Sequence, residues 1–300
     1  MIRVLFVHSV PLTRQGGAEI SLRYHRDNCP SQFEVDSILP DETPDLQRYE
    51  VIVLGNLRPE GGLGEDAEIS WINKWSQLIR SFDGFILKSE RDIHACGHRD
   101  ARCVVTRTKK VKTCDCSPRI PNAVKRLYQY SSAVQFLSPS HQWVINRIIP
   151  VRSRQTVIAS PVDKSLFSIK VPPSQRPPKA LILGDPIRTS DEAENQARCM
   201  NLEPEYIRYH SVPYNEMADL LNQYRAIIIY PVMFHAFGRL VVEARLCGCQ
   251  VIASDRVGAL SWKDPIQAAS DSNRHFWSFI TQNLTPFRKN VRKLRCLIRI

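Results

Sequence analysis

No stretch among the 300 residues reaches the roughly 18 consecutive apolar side chains that a membrane-crossing helix needs, so none is expected. The opening Met1-Ile-Arg-Val-Leu-Phe-Val7 is too short for the apolar centre of an export signal and reads as a strand. Acidic residues are in deficit: 30 Asp and Glu stand against 41 Lys and Arg, a net charge of +11 with a pI near 9.3. Such a balance implies acidic partners. Nucleotides come first, with nucleic acid, anionic lipid or polyanionic glycan beside them, and charge alone does not choose among these. A double Cys-x-x-Cys is missing, and the nine cysteines are an odd number without an export signal. The odd cysteine count without an export signal argues for a reducing compartment, hence a cytoplasmic protein, peripheral to a membrane at most, with free or metal-bound thiols. What remains is ordinary globular material: 43% hydrophobic residues can build proper cores, and the length suits one large or two medium domains.

The most informative stretch lies between residues 226 and 254. Ala226-Ile-Ile-Ile-Tyr230 is an apolar, β-branched run that stops at Pro231 and reads as a buried strand. After Gly238, the apolar Leu240, Val241, Ala244 and Cys247 fall at helical spacing, and Gly248 stands where a helix end favours a residue tolerant of positive φ. Gln250-Val-Ile-Ala-Ser254 is the next strand. Strand, loop, helix and strand make a βαβ unit with parallel strands. The helix start in such a unit offers free N–H groups and a positive dipole end to an anion, phosphate above all. Arg239, a cation in the first turn, is unfavourable for the helix unless an anion offsets it. Glu243 lies one turn further on, on the same side, where its carboxylate can accept two hydrogen bonds from a ribose diol. A solvated arginine and a solvated glutamate are the plain alternatives.

The order aromatic-Gly-x-x-x-x-Glu-Ala-x-x-x-Gly-x-x-Val-Ile-Ala-Ser, with Phe237, Gly238, Glu243 and Gly248 in place and Val257-Gly258 after it, resembles the nucleotide-sugar motif of group 1 glycosyltransferases of the GT-B fold. The resemblance implies an α/β chain of two Rossmann-like domains facing each other across a cleft, with a short C-terminal domain. It further implies a nucleotide sugar as donor, Glu243 holding the donor ribose, and retention of configuration without a catalytic metal. Eight positions before Glu243, with seven residues between, the family carries a carboxylate that contacts the donor sugar; this chain has His235. By the same resemblance the donor-binding set is Gly16, Gly17, Gly184, Arg188, Phe237, Gly238, Arg239, Leu240 and Glu243, with His235, Glu90 and Asp92 at the catalytic positions.

The first half of the chain supplies the other wall. Residues 2–7 form a strand, followed by a loop ending in Gly16-Gly17-Ala18-Glu19 and a helix to about Arg26; paired glycines let backbone approach a ligand, or simply make a turn. Strands follow at Glu34–Leu39, Val51–Gly55 and Phe85–Lys88, and a helix spans Leu63–Phe82 with Trp71 and Trp75 as core residues. Then comes a segment without periodicity that holds Cys96, Cys103, Cys114 and Cys116 together with His94 and His98. These four cysteines, with a histidine as substitute, are candidate ligands of a structural zinc; an iron–sulfur cluster or four free thiols are the alternatives. Glu90-x-Asp92-x-x-x-Cys96-x-x-Arg99, the later Cys-x-Cys and Ala133–Gln142 resemble a branch of the same glycosyltransferases found in phage and environmental bacterial sequences. In that branch a histidine stands between the two carboxylates; here it is Arg91. Glu90 and Asp92 are candidates for acid–base work or acceptor binding, or for pairing with neighbouring arginines.

Thr156–Phe167 resembles the segment that closes the first domain of the family. The proline-dense Val171–Pro178 reads as a stiff linker. The expected organisation is therefore a first domain at 1–168 with a Cys/His-rich insertion near 94–118, a linker at 169–178, a nucleotide-sugar domain at 179–284 and a basic helix at 285–300. The second domain opens with Lys179–Gly184, whose loop carries Arg188, a cation for the donor diphosphate; Asn215–Tyr224 is an amphipathic helix. Six basic residues and no acids fill Phe287–Ile300, which crosses back to the first domain or binds nucleic acid or anionic membrane. The expected activity is sugar transfer from a nucleotide sugar to a hydroxyl of a glycan, a glycolipid or a hydroxylated DNA base. An inactive relative that binds sugar nucleotides or nucleic acid is the other reading.

Overall fold

The structure, a computed structural model, describes residues 1–58, 64–96, 104–105, 110–111, 117–184, 192–208 and 211–298. Its first half alternates strands and helices: β1 (Ile2–Val7), α1 (Gly17–Asp27), β2 (Phe33–Ile38), β3 (Val51–Leu54), α2 (Gly64–Arg80) and β4 (Phe85–Ser89). A short antiparallel pair, β5 (Val104–Val105) and β6 (Lys110–Val111), precedes α3 (Arg119–Tyr130), β7 (Ala133–Phe136), α4 (Pro139–Ile148) and β8 (Arg154–Val157). The second half holds β9 (Lys179–Leu183), α5 (Glu192–Cys199), β10 (Glu203–Ile207), α6 (Met217–Leu221), β11 (Ala226–Ile229), α7 (Arg239–Leu246), β12 (Gln250–Ala253) and α8 (Pro265–Ile298).

Two separate sheets result, both parallel throughout. The first runs β2-β1-β3-β4-β7-β8 and the second β10-β9-β11-β12. Central strands such as β3 and β11 are buried at every residue, which is why their sequences are continuous apolar runs instead of alternating ones. Each sheet reverses its strand order once, beside β1 in the first and beside β9 in the second. Crevices outside the carboxyl ends of strands at such reversals are where open α/β sheets hold ligands. These are two Rossmann-like domains, the second built on only four strands.

Helices α2, α3 and α4 cover one face of the first sheet, with Trp75 fully buried and its indole N–H donating to the Pro40 carbonyl at 2.9 Å. The opposite face is closed by α1 and by the far end of the chain. Phe276, Trp277, Ile280 and Leu284 of α8 pack against Val4, Phe6 and Phe33, with Phe276 edge-on to Phe6 at 6.1 Å. The residues that make this contact thus lie upstream of the basic stretch, whose backbone simply continues α8 to Ile298.

Between the sheets, the proline-rich segment is docked on the second domain. Pro173–Gln175 makes a single 3-10 turn, and Arg176 behind it is 1% exposed. Its guanidinium donates to the carbonyls of Val171, Tyr224 and Cys247 and to Asn222 Oδ1. The expected helix at Asn215–Tyr224 is shorter than its amphipathic pattern: a 3-10 turn at Tyr214–Glu216 runs into the five residues of α6.

Candidate active site

Loops from the carboxyl ends of both sheets enclose a cavity of about 730 Å³. The first domain contributes Gly16, Gly17 and Glu19 after β1, Asn56 and Arg58 after β3, and Arg91 and Asp92 after β4. The second domain contributes Leu183 at the end of β9, Arg208 after β10, and the segment from Met233 to Glu243 after β11. A smaller hollow of about 360 Å³, between Pro30 and the Asn273–Gln282 part of α8, lies at the amino end of β2, away from the carboxyl ends of the strands.

The sequence-derived donor set largely converges. Gly16, Gly17, Phe237, Gly238, Arg239, Leu240 and Glu243 all line the cavity. Gly184 follows β9 at φ +132°, next to the lining residue Leu183, and Arg188 lies outside the described residues. Gly238 adopts φ +82° as the N-cap of α7, and a Cβ there would come within 2.6 Å of Val257 Cγ1. Only glycine fits that turn without strain. At the first-domain wall a Cβ on Gly16 would collide with the Glu19 carboxylate at 2.0 Å, so the helix start and Glu19 share one small space.

Arg239 corrects an expectation. The sequence placed an unfavourable cation at the helix start, to be offset by a bound anion; the offset is internal. Its guanidinium lies 3.1 Å from Glu243 Oε1, donates to the Tyr214 hydroxyl and to the Pro161 carbonyl, and sits 5.1 Å from the Tyr214 ring centroid. Because Pro161 follows β8 of the first sheet, Arg239 also ties the two domains together. Glu243 is 4% exposed, and burial pushes its carboxyl up while Arg239 and the Tyr214 hydroxyl hold it down. Burial likewise raises the Tyr214 hydroxyl.

His235 and Asp92 face the cavity from opposite domains. Burial lowers the His235 imidazole, with the Asp92 charge acting the other way, so the ring is neutral at neutral pH. The His235 backbone is fixed by its N–H donating to the Arg256 carbonyl at 2.8 Å. Glu90, by contrast, does not reach the cavity. It is fully buried, 3.0 Å from Lys88 Nζ, and accepts from the Tyr128 hydroxyl at 2.9 Å and the His94 N–H at 3.0 Å. Burial pushes its carboxyl up, but Lys88, His94 and His141 outweigh this and bring it to about 2. A carboxylate so engaged holds the end of β4 in place and is not available to a reacting group.

The cysteine expectation finds one member in the described part. Cys96 is 2% exposed and packs in the core with Ile93 and Ala95 instead of standing in an open loop. Cys103, Cys114 and Cys116, like His98, lie outside the described residues. Among the described residues no three His, Cys, Asp or Glu side chains are grouped to hold a metal ion, and no helix is long and apolar enough to cross a membrane.

Sequence reasoning missed part of the first-domain wall. His8 is buried behind Glu19: the Asn56 N–H donates to its Nδ1 at 3.2 Å, which leaves Nε2–H facing Glu19 Oε1 at 2.5 Å. Asn56, Arg58, Arg208 and Tyr214 were also overlooked as site residues. Asn56, Arg58 and Arg208 follow strands closely, so the strand-end rule applied to β3 and β10 would have found them.

Two Rossmann-like domains with a cavity between their strand ends define the GT-B architecture. Solved structures share it. Sucrose-phosphate synthase from Thermosynechococcus elongatus matches with a TM-score of 0.59 at 12% identity, covering 99% of each chain. HepE from Anabaena, solved with UDP and glucose, matches with a TM-score of 0.55 at 12% identity over 99% of this chain and 100% of that one. The HepE complex with UDP-glucose gives 0.52 at 13% identity over the same shares. No family model and no curated protein matches the sequence.

Proposed function

We propose that the protein is a nucleotide-sugar-dependent glycosyltransferase of the GT-B type. One observation carries this: Glu243 and the glycine-capped start of α7 open into a cavity set between the strand-order reversals of two Rossmann-like domains. HepE, whose fold is similar, is solved with UDP-glucose. The donor occupies the cleft with its nucleotide on the second domain. Glu243 accepts hydrogen bonds from the ribose diol, and the diphosphate meets the N–H groups at the Gly238 turn, where helix start and dipole favour negative charge. Arg188 belongs to the same diphosphate-binding set.

In the reaction the bond from the anomeric carbon to the diphosphate oxygen breaks, and the acceptor hydroxyl oxygen bonds to that carbon and gives up its proton. Preorganised donors at the departing diphosphate lower the barrier without covalent chemistry from the protein. Asp92, at the first-domain wall, is the carboxylate for the acceptor proton; neutral His235 hydrogen-bonds the transferred sugar. The excess of basic charge favours an acceptor on a polyanionic partner, with glycan, glycolipid and a hydroxylated DNA base as the candidates. Loss of duplex-DNA binding on raising salt would favour the last of these.

The test is calorimetric. The wild-type protein is titrated with UDP, GDP and ADP, and the tightest of them again with Glu243→Gln and as its 2′,3′-dideoxy form. Weakening by roughly 10–100-fold is expected for the variant and for the dideoxy ligand, as for loss of hydrogen bonds to a charged group. Unchanged affinity in Glu243→Gln would remove the ribose assignment. Slow hydrolysis of the matching nucleotide sugar would separate a transferase from an inactive binding module.

A further inference from the structure

Arg91 is the buried cation at the cavity whose charge the fold leaves unmatched among the described residues. It follows the Lys88–Glu90 pair at the end of β4 and lines the cavity from the first-domain side. The residue is 6% exposed, and its Nε, Nη1 and Nη2 all lack a hydrogen-bond partner among the described residues. A guanidinium has five N–H donors and no way to satisfy them internally. Leaving them dry and unpaired is among the least favourable arrangements a side chain can adopt. Burial and the like charge of Arg239 bring it down to about 9, with Glu19 acting against them, so it remains a cation at neutral pH. Glu19 does not neutralise it by contact, being engaged with His8.

Two further features converge on the same space. The starts of α1 and α7, one from each domain, have glycine N-caps without a side-chain hydrogen bond, and both open into this cavity. They face each other closely: a Cβ on Gly17 would lie 3.6 Å from Arg239 Cδ. Arg91 feels both Glu19, in the first turn of α1, and Arg239, in the first turn of α7. A neutral sugar hydroxyl would satisfy some of its donors but leave its charge uncompensated. An oxyanion does both, and matches the planar fork of the guanidinium.

From this we infer that Arg91 binds the β-phosphate of the donor from the first domain, so that the leaving group is held from both sides of the cleft. The inference rests on the nucleotide-sugar reading above. It also gives Arg91 a task that the sequence had assigned to Arg239, whose charge is already balanced by Glu243.

Calorimetry with UMP and UDP, or the pair of whichever base the wild type selects, tests this in wild type, Arg91→Gln and Arg91→Lys. In Arg91→Gln the diphosphate is expected to bind roughly 10–100-fold more weakly, while the monophosphate is unchanged. Arg91→Lys, which keeps the charge, retains most of the preference for the diphosphate. Thermal melting of the ligand-free Arg91→Gln protein is expected at or above the wild-type temperature, because an uncompensated buried cation is gone. Wild-type diphosphate affinity in Arg91→Gln overturns the inference, as does a lowered melting point with equal loss of both nucleotides. If UDP and UDP-glucose are spared and UDP-glucuronate alone weakens, the anion resides on the sugar and the β-phosphate assignment falls. If the wild type binds no nucleoside diphosphate, the nucleotide-sugar reading itself has failed.

Discussion

Arg239, Glu243 and Tyr214 form a small buried unit whose members depend on one another. The cation stands in the first turn of α7, where the dipole opposes it, and Glu243 one turn on lies 3.1 Å away to balance it. Removing the cation would leave a 4%-exposed carboxylate facing the Tyr214 hydroxyl alone. Arg239→Met is therefore expected to destabilise the protein by about 3–5 kcal/mol in urea unfolding, the cost of breaking a buried pair. Adding Glu243→Leu to it should recover much of that loss, and a coupling energy near zero in this double-mutant cycle would mean that the pair does not act as a unit.

At the scale of elements, α8 has the widest reach. It starts beside the second domain and ends its buried stretch on the first sheet, where Trp277 lies tilted against Phe33 at 4.6 Å and donates its indole N–H to the His25 carbonyl at 3.1 Å. One helix thus closes the open face of a sheet whose strands β1, β2 and β3 lie more than 200 residues before Trp277. Trp277→Ala is expected to cost about 3–5 kcal/mol, as for large aromatic deletions in cores. The loss should appear in first-domain probes, since Phe6 and Phe33 lose their cover. The linker acts in the same sense: Arg176 fastens the proline-rich segment to α6 and α7 through backbone carbonyls, so it works as a packed strap and not as a free hinge.

For the whole molecule, buried histidines set the response to acid. Burial lowers His25 to about 3, with Arg91 adding to the effect, and lowers His141 to about 4 against the opposing pull of Glu90. In the unfolded chain both take up a proton near 6.5. Between these values the unfolded state binds more protons, so stability rises with pH across the window. It is fully present above about 6.5 and falls as the medium is taken towards pH 4, by roughly 1.4 kcal/mol per unit for each histidine. Glu90, brought to about 2, adds a further loss below 4.5. Urea midpoints measured from pH 7 to pH 4 should drop steadily; a flat profile down to pH 5 would contradict the burial of His25 and His141. The basic surplus acts at the same scale, drawing anionic partners without deciding the fold.

Local rules made the βαβ unit around Gly238 legible in the sequence. An apolar run ended by Pro231, helical spacing after Gly238 and a positive-φ glycine at Gly248 follow from chain sterics and periodicity within a few residues, and Gly248 does adopt φ +80°. It was the resemblance to GT-B glycosyltransferases that set Glu243 and the glycines of both helix starts at one site, and all of them line one cavity. Local rules could not tell which charges would be spent on the protein itself. Arg239 reaches Pro161 across 78 positions, and Glu90 meets Tyr128 across 38. Cys96 is a core residue because of what packs on it, not because of its neighbours in the chain. Hydrogen bonding and desolvation are settled by whichever groups the fold brings together. Only the tertiary structure could therefore show Glu90 enclosed, Arg239 neutralised and Arg91 buried at the wall of the cleft with its donors unmet.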